Sequence, residues 1–316
     1  MDKGLALIEK SFQGFNCAFP IFDRENFLLK YQNLESNLNN TCWWACLNVV
    51  LALSHRFTGT TITEKEEDQE AWGYFQNALA VINQPITMAP SIQYVQALIG
   101  MALLFLGTPN QGPASLLISS AIKSAQRLGL HRSYEQSTLQ ASEIEQRKRI
   151  FWSAYTIDKD LSLMTGQPPT QYDDDMDVEL PSQSISENLD VFYFRIRLAM
   201  IQGQIYKHLC SVRAHRKSTA ERTMAARKLE TMLQSWKANM PAEILQEYYA
   251  PRHGGVYSII LQLSYFNSLS TVYSCLPMFP LYHELQVPQH PDITYEARKA
   301  IKLLEVTPRR SYACLW

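Results

Sequence analysis

The chain has 316 residues, 46% of them hydrophobic and 19% charged, with a formal net charge of −1. That length can bury a sizeable core, and that balance excludes an intrinsically disordered chain. Near-neutrality leaves the molecule as a whole without the basic footprint of a nucleic-acid binder.

From the amino terminus, Gly4–Ile8 is too short an apolar core for a secretory signal. Cys42–Leu53 and Val95–Leu106 are the longest apolar runs, and Asn48, Gln96 and Gly100 interrupt them. Neither reaches the about 18 residues that span a bilayer. The six cysteines, at 17, 42, 46, 210, 275 and 314, form no Cys-x-x-Cys pair, which fits a reducing compartment. Cys42 and Cys46 lie one helical turn apart beside Trp43 and Trp44. With no further ligand at zinc spacing, they read as buried thiols.

Helical periodicity dominates the remainder of the chain. From Pro113, placed in a first turn, Leu117, Ala121, Ala125 and Leu128 share one stripe with Ile118 and Ile122 alongside. Gly129 closes that helix in a left-handed conformation, and Leu130 folds back on it. Ser142 with Glu145 reads as a capping box opening the next helix. Its seam is Ile150, Ala154, Ile157, Leu161 and Met164, flanked by Phe151, Trp152 and Tyr155, and Gly166, Pro168 and Pro169 end it.

Val191–Leu209 is a mixed apolar and basic helix. Ser218 and Glu221 cap another, whose Leu229, Met232, Leu233 and Trp236 share a face up to Pro241. Ile259–Leu276 reads as an interior helix, and Ala297–Val306 begins an amphipathic one. Loops are expected at Phe57–Asp68, Asn83–Pro90, Thr165–Glu187 and Pro277–Pro291. The close on Ala-Cys-Leu-Trp suggests truncation of a longer domain. The expected fold is all-α, a single large irregular helical domain.

Several residues invite a chemical reading. Asp173, Asp174 and Asp177 match the Asp-Asp-x-x-Asp pattern with which isoprenoid synthases hold magnesium on a diphosphate. Between Pro169 and Pro181 they read instead as an acidic surface loop, with no second motif on a later helix. His131 suits the dipole at a helix carboxy terminus. Asp158, beside the apolar seam, needs a hydrogen-bonding partner, for which an arginine such as Arg132 is the expectation. Lys207, Arg213, Arg216, Lys217, Arg222, Arg227 and Lys228, with His208 and His215, form the most basic region. It suits a solvated face, a nuclear import signal or a phosphate-contacting helix. His283-Glu284 lacks the second histidine of a zinc protease helix, and phosphate loops and Gly-x-Ser-x-Gly elbows are absent. No catalytic, cofactor-binding or metal-binding residue is assigned.

The strings AIKSAQRLGLHR (121–132), EIEQRKRIFWSAYTIDKDLSLMTGQPP (143–169) and YDDDMDVELP (172–181) resemble the middle homology region of fungal-specific transcription factors. Gln167 stands where the family usually has arginine, and Lys148 lies in its basic triplet. Phe19-Pro20-Ile21-Phe22 with Phe27 is similar to the family's opening segment. Leu233, Trp236 and Met240-Pro241 are similar to its later element. The likeness spans residues 1–316, with its best-matching core at 92–181.

This resemblance implies an all-helical regulatory domain of a zinc binuclear cluster transcription factor, acting in the nucleus on metabolic or biosynthetic genes. Zinc and direct DNA contact are expected only through an amino-terminal cluster that this chain lacks. The implied partners are transcription machinery or other regulators, with scope for a small-molecule effector or a homodimer, and no membrane. No enzyme activity is expected. The alternatives are a stand-alone truncated interaction protein and, of another class, a helical synthase built on Asp173, Asp174 and Asp177.

Overall fold

Apolar residues at helical spacing, rarely broken by glycine, fold the chain into helices, and no strand occurs among the described residues. The structure is a computed structural model describing residues 3–37, 39–56, 64–82, 90–106, 112–133, 139–182, 188–240 and 255–274. Two compact units divide these residues, the first formed by 3–158 with 170–196 and the second by 159–169 with 197–274.

In the first unit α1 (Lys3–Gln13), α2 (Phe15–Ala18), α3 (Arg24–Gln32) and α4 (Leu34–Asn37) precede four long helices. These are α5 (Thr41–Arg56), α6 (Glu64–Ile82), α7 (Ile92–Phe105) and α8 (Gly112–Arg127). α6 begins at Glu64, so the expected loop at Phe57–Asp68 is helical in its last residues; residues 57–63 lie outside those described. α9 (Ala141–Thr165) and α10 (Asn188–Ile205) come next.

α7 is buried without interruption from Tyr94 to Leu104, as a helix apolar on every side must be. It packs on α5, which in turn packs on α1 and α6. The close approach of α5 and α7 depends on Gly100, because a Cβ there would stand 2.2 Å from Val49 Cγ1. Val49 is fully buried and, being β-branched, has little rotamer freedom in a helix.

The opening segment is part of this core. Asn16 brackets Phe22, its Nδ2 donating to Phe22 O and its Oδ1 accepting from Phe22 N. Phe27 meets Phe12, Phe22 and Trp43 ring to ring. The carbonyl of Ile21 accepts two side-chain amides, Gln96 Nε2 at 2.6 Å and Gln146 Nε2 at 2.8 Å. Gln96, which breaks the apolar run in the sequence, is therefore a satisfied polar group in the interior.

In the second unit α10 runs into a π-helical turn, Tyr206–Cys210, followed by α11 (Val212–His215), α12 (Thr219–Ala238) and α13 (Gly255–Ser274). The expected capping box opens α12 with both halves made: Glu221 N donates to Ser218 Oγ, and Ser218 N to Glu221 Oε2. α12 packs on α13 through Trp236 stacked on Tyr265, 5.5 Å between centroids, and through Tyr273 Oη donating to Glu230. A buried amide, Gln202, donates to Asp160 and to Ser268. The loop expected at Asn83–Pro90 lies outside the described residues except for Pro90 itself. So do the loop expected at Pro277–Pro291, the helix expected at Ala297–Val306 and the final residues.

The contact at Gly100 has a measurable consequence. Gly100→Ala should lower stability by about 1–3 kcal/mol, because overpacking against Val49 outweighs alanine's better helix propensity. Chemical denaturation reads this directly, and Val49→Ala in the same chain should restore part of the loss.

Candidate functional site

The segment with the most specific sequence signal runs from the end of α8 to Ser182. α8 closes as its sequence prescribes. Gly129 has φ 72°, Leu130 N donates to Ala125 O at 3.0 Å and Gly129 N to Gln126 O at 3.0 Å. This is the Schellman arrangement, and Leu130 is fully buried beside it.

α9 ends at Thr165, before Gly166 at φ 70°, as expected, but departs from expectation at its start and in the length of its seam. It starts at Ala141, with Ile144 N donating to Gln140 O, so Ser142 lies inside the helix and the Ser142–Glu145 box does not form. Glu145 instead accepts from Ser182 N at 3.0 and 3.1 Å and from Arg149 Nε at 3.2 Å. The seam ends at Leu161, for Met164 is 41% exposed. Between Ile150 and Lys159 every residue is buried, Ser153 and Thr156 included, so the helix is enclosed well beyond a single stripe.

Asp158 is 6% exposed. Its carboxylate accepts from Thr170 N at 2.9 and 3.0 Å and from Gln171 N at 3.1 Å. Main-chain amides thus supply donors to the group for which the sequence suggests an arginine. Ser119 Oγ meets Thr170 Oγ1 at 2.8 Å, and Gln126 Nε2 donates to the fully buried Gln171. From there the aspartate-rich loop lies along α8 and α9, stapled residue by residue.

Tyr155 Oη donates to Asp173 at 2.8 Å, and Trp152 Nε1 to Glu179 O at 2.9 Å. Burial, then the Asp173 charge and hydrogen bond, push the Tyr155 hydroxyl far up, so it stays protonated as a donor. His131 contributes its carbonyl, which accepts from Asp177 N and Val178 N. Ser133 N donates to Asp177 Oδ1, and Ser133 Oγ to Asp177 O. Lys148 Nζ reaches Glu179 Oε2 at 2.8 Å and holds that carboxyl below the usual carboxylate range.

Asp173 and Asp177 are therefore engaged in fixing the loop. Asp173–Asp175 form a single 3-10 turn, where a magnesium site of the synthase type needs acids on successive turns of a helix. Among the described residues no group of three or more His, Cys, Asp or Glu is placed to hold a metal ion. The acid arrangement expected for the synthase alternative is thus not formed by Asp173, Asp174 and Asp177. Cys46, expected as a buried thiol, is buried: its Sγ donates to Gln93 O, and burial and then Cys42 push the thiol far up. No helix among the described residues is long and apolar enough to cross a membrane.

The basic region is centred on the π-helical turn of the second unit, which packs on α11 and α12. Lys207, Arg213, Arg216, Arg227 and Lys228 are exposed. His208 is held below the usual histidine range by partial burial and by Lys217, Lys207 and Lys228.

A profile of the fungal specific transcription factor domain matches residues 10–238. The chain belongs to this family. It is 32% identical over 350 aligned residues to the ABC-transporter-regulating transcription factor of Aspergillus oryzae, covering 100% of this chain and 39% of that protein. Its likeness to the Aspergillus fumigatus protein of the same description is equal in identity and coverage. The Fusaridione A cluster transcription factor of Fusarium heterosporum is 29% identical over 280 residues, covering 84% of this chain and 53% of the relative. The chain thus spans less than two thirds of the length of these relatives. No solved structure matches it.

In this fungal transcription factor domain the resemblance read from residues 121–181 falls on the stapled loop and the two helices beneath it. Sequence reasoning missed Glu145, Ser133 and Trp152 as loop anchors, since each acts through a main-chain partner that no spacing rule reveals. The readable signal was Asp158, an acid set in an apolar helix.

Asp158→Ala should destabilise the chain by about 3 kcal/mol or more, because two enclosed amides lose a charged acceptor, and Asp158→Asn by roughly half of that. Urea midpoints measure both. The Glu179 carboxyl, depressed in the folded state, contributes stability above the ordinary carboxylate range that is lost as pH falls toward its folded value. Side-chain NMR titration should show Glu179 ionising below a free glutamate, and Lys148→Met should return it upward.

Proposed function

We propose that this domain is the controlling part of a fungal transcription factor, setting the output of metabolic, transporter or biosynthetic genes through a bound partner or small-molecule effector. The family match across residues 10–238 carries the reading. Relatives described as regulating ABC transporters and a fusaridione cluster give the kind of gene concerned. The stapled loop supports it in a second way, because its acids and aromatic donors make internal bonds and act as framework rather than as reactive groups.

On this reading the site of action is the nucleus. DNA and zinc are reached through a binuclear cluster carried outside these residues, and a homodimer is compatible with the arrangement. Regulation acts on helix packing: two arrangements of similar free energy are biased by whatever binds one of them better.

Fusing the chain between a heterologous DNA-binding domain and an activation domain tests this. Reporter output should shift by about fivefold or more relative to the fusion lacking the chain, and respond further to growth conditions or metabolites. Output identical with and without the chain under every condition overturns the reading.

A further inference from the structure

The segment from Lys207 to Lys228 carries seven lysines and arginines against one acid, Glu221, in a chain whose net charge is −1. Folding concentrates that charge. The π-helical turn packs on both α11 and α12, bringing residues on either side of His208 together. The effect is felt at His208 itself, where Lys217 and Lys228, distant in sequence, join Lys207 in opposing its protonation.

Among the described residues none of Arg213, Arg216, Arg227 and Lys228 has a carboxylate within ion-pair distance. Glu221 is already committed to capping α12 through Ser218. Among those residues, therefore, the positive field is not cancelled.

Apolar side chains stand among these cations. Met224 is 73% exposed and Val212 71%. Met224 lies one helical turn before Arg227 and Lys228 on α12, so the three share a face. An unbranched thioether flanked by cations suits a ligand that is both negative and greasy. A phosphate backbone would use the charge and leave the methionine uncovered.

We propose that the surface formed by the π-helical turn, α11 and the start of α12 docks an acidic amphipathic peptide segment of a protein partner. Carboxylates meet Lys217, Arg227 and Lys228, and apolar side chains cover Met224. The proposal rests on the reading of this chain as a partner-binding regulatory domain and gives that partner its chemistry. Opposite charge steers and orients the encounter, while the covered apolar area slows departure.

The test uses the full chain and a fluorescent synthetic peptide of alternating glutamate and leucine or phenylalanine. A glutamine-for-glutamate version and a DNA duplex of matched charge serve as competitors. At physiological salt the acidic peptide should bind and the glutamine version should not. Raising salt should weaken the peptide, since exposed pairs are screened. Lys217→Glu, Arg227→Glu and Lys228→Glu together should weaken it by about tenfold or more. Met224→Ser should weaken the peptide about threefold or more while leaving the duplex unchanged.

Circular dichroism confirms folding of the variants, and the wild-type salt dependence stands without any variant. Failure of the acidic peptide to bind overturns the proposal. So does a duplex that competes equally with the peptide while Met224→Ser changes neither. The reporter fusion is scored in parallel. Regulation that persists without peptide binding sinks this surface alone, and peptide binding without any regulation supports the surface and sinks the broader functional reading.

Discussion

A carboxylate enclosed by apolar helix neighbours must find donors or lose its charge, and at Asp158 the donors are the amides of Thr170 and Gln171, twelve and thirteen residues on. Charged hydrogen bonds of this kind contribute about 1.5–3 kcal/mol each, against a desolvation cost of several kcal/mol for the ion. Three short contacts allow the bonds to win. They also oblige the chain to return toward α9 with its amides facing inward. Where the aspartate-rich loop can lie is then decided before any of its own residues is consulted.

Once Thr170 and Gln171 are placed, local necessity places the rest of the loop. Tyr155 and Trp152, buried for their rings, carry polar tips that need acceptors, and the passing chain offers Asp173 and the carbonyl of Glu179. The carbonyl of His131, just beyond the Schellman closure, takes two amides from the far end. A segment rich in acids, bases and aromatics is in this way used up as structure. The same principle separates it from the basic region of the second unit, where Arg213, Arg216, Arg227 and Lys228 have no ion-pair partner among the described residues. Near-neutrality of the whole chain conceals that unevenness.

Much of the architecture was legible because it rests on local rules. Gly129 followed by Leu130, and Ser218 followed by Glu221, state their geometry in nearby letters, and both form as read. The apolar stripe of α8 and the Leu229–Trp236 face of α12 come from spacing alone. The Ser142–Glu145 pair had the same local credentials and did not form, because the helix opens two residues earlier and Ser182 takes the carboxylate. Tertiary competition of this kind leaves no mark in a short window of sequence. Asp158 was legible as an acid in need of donors, but its amide donors were not, since backbone donors carry no residue identity. The tight crossing at Gly100 likewise depends on a partner far along the chain, Val49.

The carbonyl of Ile21 bears on where this fold can be cut. Both its lone pairs are engaged, one by α7 and one by α9, and Ile8, Phe12 and Phe15 are sunk into the same interior. The opening helices are thus masonry within the wall of the unit that the family profile matches from residue 10. Any fragment excised at the start of the profile match would lose Ile8 and expose raw apolar surface, and one begun beyond Ile21 would strand two glutamine amides. Packing of the folding unit thus reaches upstream of the first residue that the profile matches.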